Sequence, residues 1–160
     1  MADAFRKNQD PPPARETSAR HTDILNGYKS GGSRFNEWSA KTLGDLKLVS
    51  WSWGRLSMLW TIDDSWVMPD GVMFGGHVAS VADHVAGLIS MTVLDDAADR
   101  FRTAHLETNY FRPVMKPSAT IEARVVNVSK TLITVEADFL NAEAKLAVRM
   151  GAVQVRRKAG

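Results

Sequence analysis

Asp83 is the residue in this chain whose surroundings most call for a chemical explanation. It stands in Met68-Pro-Asp-Gly-Val-Met-Phe-Gly-Gly-His-Val-Ala-Ser-Val-Ala-Asp83-His-Val-Ala-Gly-Leu-Ile-Ser90, where most neighbours are small or apolar. A carboxylate placed there can take a proton from water or attack an electrophile directly. Burial would push its pKa up, and a nearby donor or dipole would oppose that. Gly75-Gly76 lies just upstream, where the spacing predicts the start of a helix. The first N–H groups of a helix have no internal partner and sit at its positive end, so they can hold an oxyanion or polarise a carbonyl. Glycine keeps a side chain from standing in front of them.

Successive residues at about 100° divide this helix into two faces. Val78, Val81, Ala82, Val85, Leu88 and Ile89 make a broad apolar side. Ala79, Ser80, Asp83, Ala86, Gly87 and Ser90 make the other, on which the residues around Asp83 are small enough for a sheet, a second subunit or a narrow acyl channel to come close. His77 and His84 project to nearly one side, but their i, i+7 separation is too long for a usual chelating pair and no third ligand is evident, so both read as structural or solvent-edge residues. No G-x-S-x-G elbow occurs, which removes the usual serine-hydrolase reading. With no cysteine there is no thiolate nucleophile, Cys-type zinc site or disulfide framework.

The elements that must position these groups follow from periodicity. Residues 1–33 are rich in charge, proline, serine and glycine and read as a flexible leader, with a short docking turn over Ile24, Leu25 and Tyr28. Residues 34–160 form the single domain. Arg34–Leu43 reads as a short helix ended by Gly44. Residues 48–62 alternate as two strands or one bent strand, with a turn at Ser52-Trp53-Gly54. Trp51, Trp53 and Trp60 there read as core or interface residues rather than a ligand wall. Asp95–Asp99 reads as a polar loop. Four antiparallel strands follow, over residues 101–111, 120–128, 131–140 and 145–155, the last with Leu146, Val148, Met150 and Val155 as its apolar members. One long helix against an antiparallel sheet is an α+β arrangement.

Composition narrows the function classes. The 160 residues are 44% hydrophobic and 24% charged, with a formal net charge of +2. Lys and Arg are scattered, with Arg156-Arg157-Lys158 as the only tight cluster, which argues against a nucleic-acid partner. No apolar run approaches the ~18 residues that span a membrane, and the N-terminus has no signal-peptide pattern. Together with the absence of cysteine, this suits a cytoplasmic protein.

At this point the chain resembles the hotdog-fold acyl-CoA thioesterases of the phenylacetate-degradation and 4-hydroxybenzoyl-CoA type. The residues that carry the resemblance are Pro69-Asp-Gly71-Val-Met-Phe-Gly75-Gly76, then Ala-Ser-Val-Ala-Asp83, then Thr103-Ala-His-Leu-Glu-Thr-Asn-Tyr-Phe-Arg-Pro113. It covers roughly residues 45 to 157. It implies a curved antiparallel sheet wrapped around the long helix, in a homodimer or homotetramer with active sites at the dimer interface. It implies an acyl-CoA substrate and no metal or redox cofactor. It gives Asp83 the part of nucleophile or base, the Gly75 N–H, helped by Gly76, the part of carbonyl donor, and Thr103 that of a water-positioning hydroxyl. Phe74 stands where many members carry His, and Met68 where many carry Gln or Asn, so both would line an unusually apolar substrate site. Arg156 and Arg157 are expected at its mouth, near the phosphates of coenzyme A.

Those two departures leave a second function in view, a non-catalytic binder of acyl or aromatic ligands on the same fold. A hydratase of this fold is a third; it would need a carboxylate–histidine pattern that the chain lacks.

Overall fold

Alternation of buried and more exposed residues along the strands builds the sheet of this molecule. A computed structural model describes residues 14–157. The strands are β1 (Asp45–Ser52), β2 (Arg55–Thr61), β3 (Arg100–Tyr110), β4 (Ser118–Val128), β5 (Leu132–Leu140) and β6 (Leu146–Arg157). The helices are α1 (Ala19–Ser30), α2 (Arg34–Thr42) and α3 (Gly75–Met91), with a short 3₁₀ turn at Asp64–Trp66. The six strands pair in the order β1-β2-β4-β5-β6-β3, every pair antiparallel. The curved sheet packs against α3, as the resemblance implies: this is the hotdog fold.

The core lies between α3 and the inner side of the sheet. Val78, Val81, Ala82, Val85, Leu88 and Ile89 are buried, so the apolar side read from the helical projection is the one that packs. Against it lie Met58 and Trp60 from β2, Ile121 from β4, Ile133, Val135 and Phe139 from β5, and Val148 and Met150 from β6. The expected turn at Ser52-Trp53-Gly54 joins β1 to β2, with Gly54 at φ 69°, a left-handed conformation that favours glycine. Trp60 is buried in the core, while Trp51 and Trp53 pack at its margin.

Three expectations are corrected. In β4 the alternation breaks at a bulge between Val125 and Asn127, so Asn127 turns outward rather than following Val125 inward. In β6, Val155 is exposed; the period-2 row from Met150 and Ala152 continues through Gln154 and Arg156, which face inward instead. The 95–99 stretch is not merely polar surface, because Asp99 is buried against Arg156.

Of the segment read as a leader, residues 1–13 lie outside the described residues. Residues 19–30 form a full helix rather than a short turn. Ser18 caps it by accepting from the His21 N–H, and Gly31 ends it at φ 78°. Leu25 and Tyr28, one turn apart, are buried in the core. Just upstream, the Thr17 hydroxyl donates to the Thr92 carbonyl, and the Ser18 N–H donates to that of Leu94.

Candidate active site

α3 begins without a side-chain cap. Phe74 occupies the cap position and makes no capping hydrogen bond. The carbonyl of Phe74 accepts from the N–H of His77 and of Val78. Gly75 and Gly76 precede the point where internal helix bonding starts, so their N–H groups belong to the open positive end of the helix. Tyr110 of β3 fixes that end: its hydroxyl donates to the Gly75 carbonyl at 2.6 Å, and a Cβ at Gly75 would meet its ring at 3.7 Å. Gly76 lies under the Phe74 ring, where a Cβ would come within 2.7 Å of the ring edge. Phe74 is 59% exposed, and Met68 also stands at the surface, beginning the tight turn that leads to this end of the helix.

Asp83 lies two turns along the same helix. It is exposed on the isolated chain, which corrects the expectation of a buried acid. Its Oδ1 accepts from the Thr103 hydroxyl at 2.8 Å. Thr103 pairs with Gln154 just before a bulge of β3 and keeps the period-2 row of Phe101, which lines the same cavity. Asp83 and Thr103 therefore meet across the α3–β3 contact, 20 residues apart in the chain.

A cavity of about 870 Å³ opens beside this pair. Its walls include Phe35 and Trp38 of α2, Leu88 and Met91 of α3, and Phe101 of β3, with Arg34 and Arg102 also lining it. Small residues on this side of α3, Gly87 above all, leave the width of the cavity to the aromatic rings.

Both helix histidines are structural, one of the roles read from the sequence. His77 stacks flat on Trp66 at 4.1 Å, and its Nε2 is 3.0 Å from the Leu43 carbonyl. Burial lowers its pKa, with the Leu43 hydrogen bond and Asp63 opposing. His84 packs against Trp38 and Tyr28. Its pKa is lowered to about 4, because burial disfavours the charged ring more than Asp83 favours it. Its Nε2 lies 3.1 Å from the Tyr28 hydroxyl, which donates to Ser39, which donates to the Asn36 carbonyl. One hydrogen per hydroxyl orients that chain, so Nε2 of His84 carries the proton that starts it.

The expected site residues separate into groups. Asp83 and Thr103 are brought together. Gly75, Gly76, Phe74 and Met68 gather at the start of α3. Arg156 is not at a mouth: it is 5% exposed, and its guanidinium is held by Asp95 and Asp99. Arg157 is exposed and flanks a smaller depression with Arg100 and Arg102. Sequence reading missed Gln154, fully buried beside Thr103 with its Oε1 at 3.1 Å from the Thr103 hydroxyl. The signal that could have found it is the inward row of β6, in which a glutamine follows Met150 and Ala152.

Comparison with known proteins bears on the family and the fold. The profile of the family described as "Thioesterase superfamily" matches residues 70–148. "Putative esterase SSO2140" of Saccharolobus solfataricus is 32% identical over 105 residues, 66% of this chain and 74% of the relative. Among solved structures, a thioesterase family protein from Silicibacter pomeroyi superposes with a TM-score of 0.72 at 16% identity, over 87% of this chain and 99% of the other. A hypothetical thioesterase from Streptococcus pneumoniae, solved with coenzyme A, gives 0.69 at 15% identity, over 77% and 94%.

Proposed function

Since the chain belongs to the thioesterase superfamily, we propose that it hydrolyses an acyl-CoA thioester to a carboxylic acid and coenzyme A. The observation that carries this reading is the Asp83–Thr103 contact at the edge of an apolar cavity, on the helix whose open N-terminus is Gly75. The acyl group lies against Phe35, Trp38 and Phe101. Asp83 removes a proton from water as the oxygen adds to the thioester carbon. The carbonyl oxygen, gaining charge, is held by a Gly75 N–H with help from Gly76. The tetrahedral adduct then expels the sulfur of coenzyme A, which takes the proton from Asp83. Water is the only co-reactant, and the products are the acid and the free thiol.

One helix cannot present both groups to one carbonyl. Gly75 and Asp83 are eight residues apart, about 12 Å along the axis. The reading therefore requires a homodimer in which Asp83 of one copy faces Gly75 of the other. The exposed edge strand β3 supports this: it is 11 residues long and carries both Thr103 and Tyr110. Such an edge is a template for pairing unless another strand covers it. Coenzyme A phosphates are placed against Arg102 and Arg157, two of the exposed arginines of the β3–β6 pair, rather than against Arg156.

The test is thiol release across short, medium, long and aromatic acyl-CoAs, with Asp83→Asn alongside. We expect release with at least one class and a loss of 100-fold or more in Asp83→Asn, in keeping with removal of a positioned proton acceptor, which contributes about 10²–10⁴-fold. Full turnover by Asp83→Asn would sink the mechanism. Stoichiometric binding of acyl or aromatic ligands with no release from any substrate would establish the non-catalytic reading instead, for which exposed Phe74 in place of a polar group is the motive.

A further inference from the structure

Gln154 has no assigned part, yet it touches the site through a single hydroxyl. Thr103 Oγ1 lies 2.8 Å from Asp83 Oδ1 and 3.1 Å from Gln154 Oε1. A hydroxyl carries one hydrogen and cannot donate to both oxygens at once. Gln154 Nε2, meanwhile, is buried with no partner among the described residues. The two ends of a glutamine amide have nearly the same shape, and the hydrogen-bond network decides between them. Turning the amide over makes Nε2 the donor to Thr103 and frees the Thr103 hydrogen for Asp83. This leaves a directed chain, Gln154 N–H to Thr103 O–H to the Asp83 carboxylate.

The location favours such a device. Gln154 and Thr103 are direct partners across β6 and β3, and Thr103 sits just before the bulge. Gln154 is 0% exposed, so its amide is fixed by packing, whereas Asp83 and Thr103 face the open side. A buried polar side chain placed among apolar residues costs free energy unless its groups are used. Other charged or titratable groups lining the cavity around Asp83 are Arg34 of α2, His84 of α3 and Arg102 of β3, and only Thr103 makes a hydrogen bond to its carboxylate among the described contacts.

We propose that Gln154 is a positioning residue: its buried amide fixes the Thr103 hydroxyl so that the proton points at Asp83 and holds the carboxylate in its working orientation. This rests on the reading of Asp83 as the group that activates water. Gln154 does not contact substrate. It acts only through Thr103, so its effect must vanish when the hydroxyl is gone.

The experiment is a double-mutant cycle in the full chain with Gln154→Met, Thr103→Val and both together, using the best acyl-CoA substrate. Methionine keeps the length and apolar volume of the side chain and removes the amide. We expect Gln154→Met to lower kcat about tenfold, the scale of one lost hydrogen bond next to a charged group, with KM within about twofold of wild type. In the Thr103→Val background the same change should alter kcat by less than about twofold, the usual margin for a residue with no remaining partner. A second readout is independent of turnover. NMR scalar couplings report the χ1 rotamer of Thr103, which should be single in wild type and mixed in Gln154→Met. Gln154→Asn, which withdraws the amide by one methylene, gives the same comparison if Gln154→Met folds poorly.

Equal, multiplying losses in the two backgrounds would show that Gln154 acts independently of Thr103 and would overturn the proposal, as would a Thr103 rotamer unchanged by removal of the amide. Failure of the underlying reading looks different. Asp83→Asn would then keep its turnover, while the Thr103 rotamer would still report whether Gln154 orients the hydroxyl.

Discussion

His84 is neutral because its ring is enclosed, and that has a consequence for stability. Its ordinary pKa of 6.5 falls to about 4 in the folded protein, so between those values the unfolded chain binds a proton that the folded chain excludes. Stability from this residue is complete above pH 6.5 and is lost as the pH falls toward 4. The loss comes to about 2 kcal/mol at pH 5 relative to pH 8. His77, also shifted downward by burial, adds in the same direction. Urea titrations at pH 8 and pH 5 measure the effect. Wild type should lose stability over this range, and His84→Gln should lose distinctly less. Equal losses would show that His84 does not titrate as its surroundings imply. At this scale the sequence was readable where a residue's type conflicts with its neighbours: Asp83 on a small-residue helix and Gly75-Gly76 at its start both stood out. Gln154 and Arg156 were obscure for the opposite reason. Val155, which stands between them, reads as the apolar member of the strand, and the pairing that sets Gln154 beside Thr103 depends on the β3–β6 register, which no local pattern reveals.

Strands β4 and β5 and helix α3 were legible because each repeats one period along one buried face. α1 was not, because it has only one short apolar stripe amid charged residues, and most of its stability comes from what it packs against. Its weight in the fold can be measured. Leu25 is 0% exposed, so Leu25→Ala removes buried methyl groups and should cost about 3 kcal/mol in chemical denaturation. A change below about 0.5 kcal/mol, the range for surface substitutions, would mean that this segment is only a leader. The same helix matters to the site at one remove. Tyr28 links His84 to Ser39 on α2, and α2 supplies the Phe35 and Trp38 wall of the cavity.

At the scale of the whole molecule, the order β1-β2-β4-β5-β6-β3 puts β3 on an edge, although it is third in sequence. Strand alternation cannot show that order, because it reports faces and not neighbours. The order matters for function, since it leaves Thr103 and Tyr110 on the strand by which a second copy would join. The central claim is that the site is shared: Gly75 N–H from one protomer and Asp83 from its partner act on one carbonyl. Two inactive variants test it together. Asp83→Asn removes the acid, and Gly75→Pro removes the N–H. Proline suits the first position of a helix, Phe74 before it already has φ −58° and ψ 125°, an extended conformation compatible with a following proline, and a Cβ at Gly75 would meet the Tyr110 ring at an ordinary 3.7 Å. The two variants are unfolded together in equal amounts, refolded and assayed for thiol release. If the site is shared, half of the dimers are mixed and each has one intact site of two, so activity should return to about a quarter of the wild-type value. If both groups act within one chain, no mixed dimer holds an intact site, and activity that stays at the level of the separate variants would contradict the account.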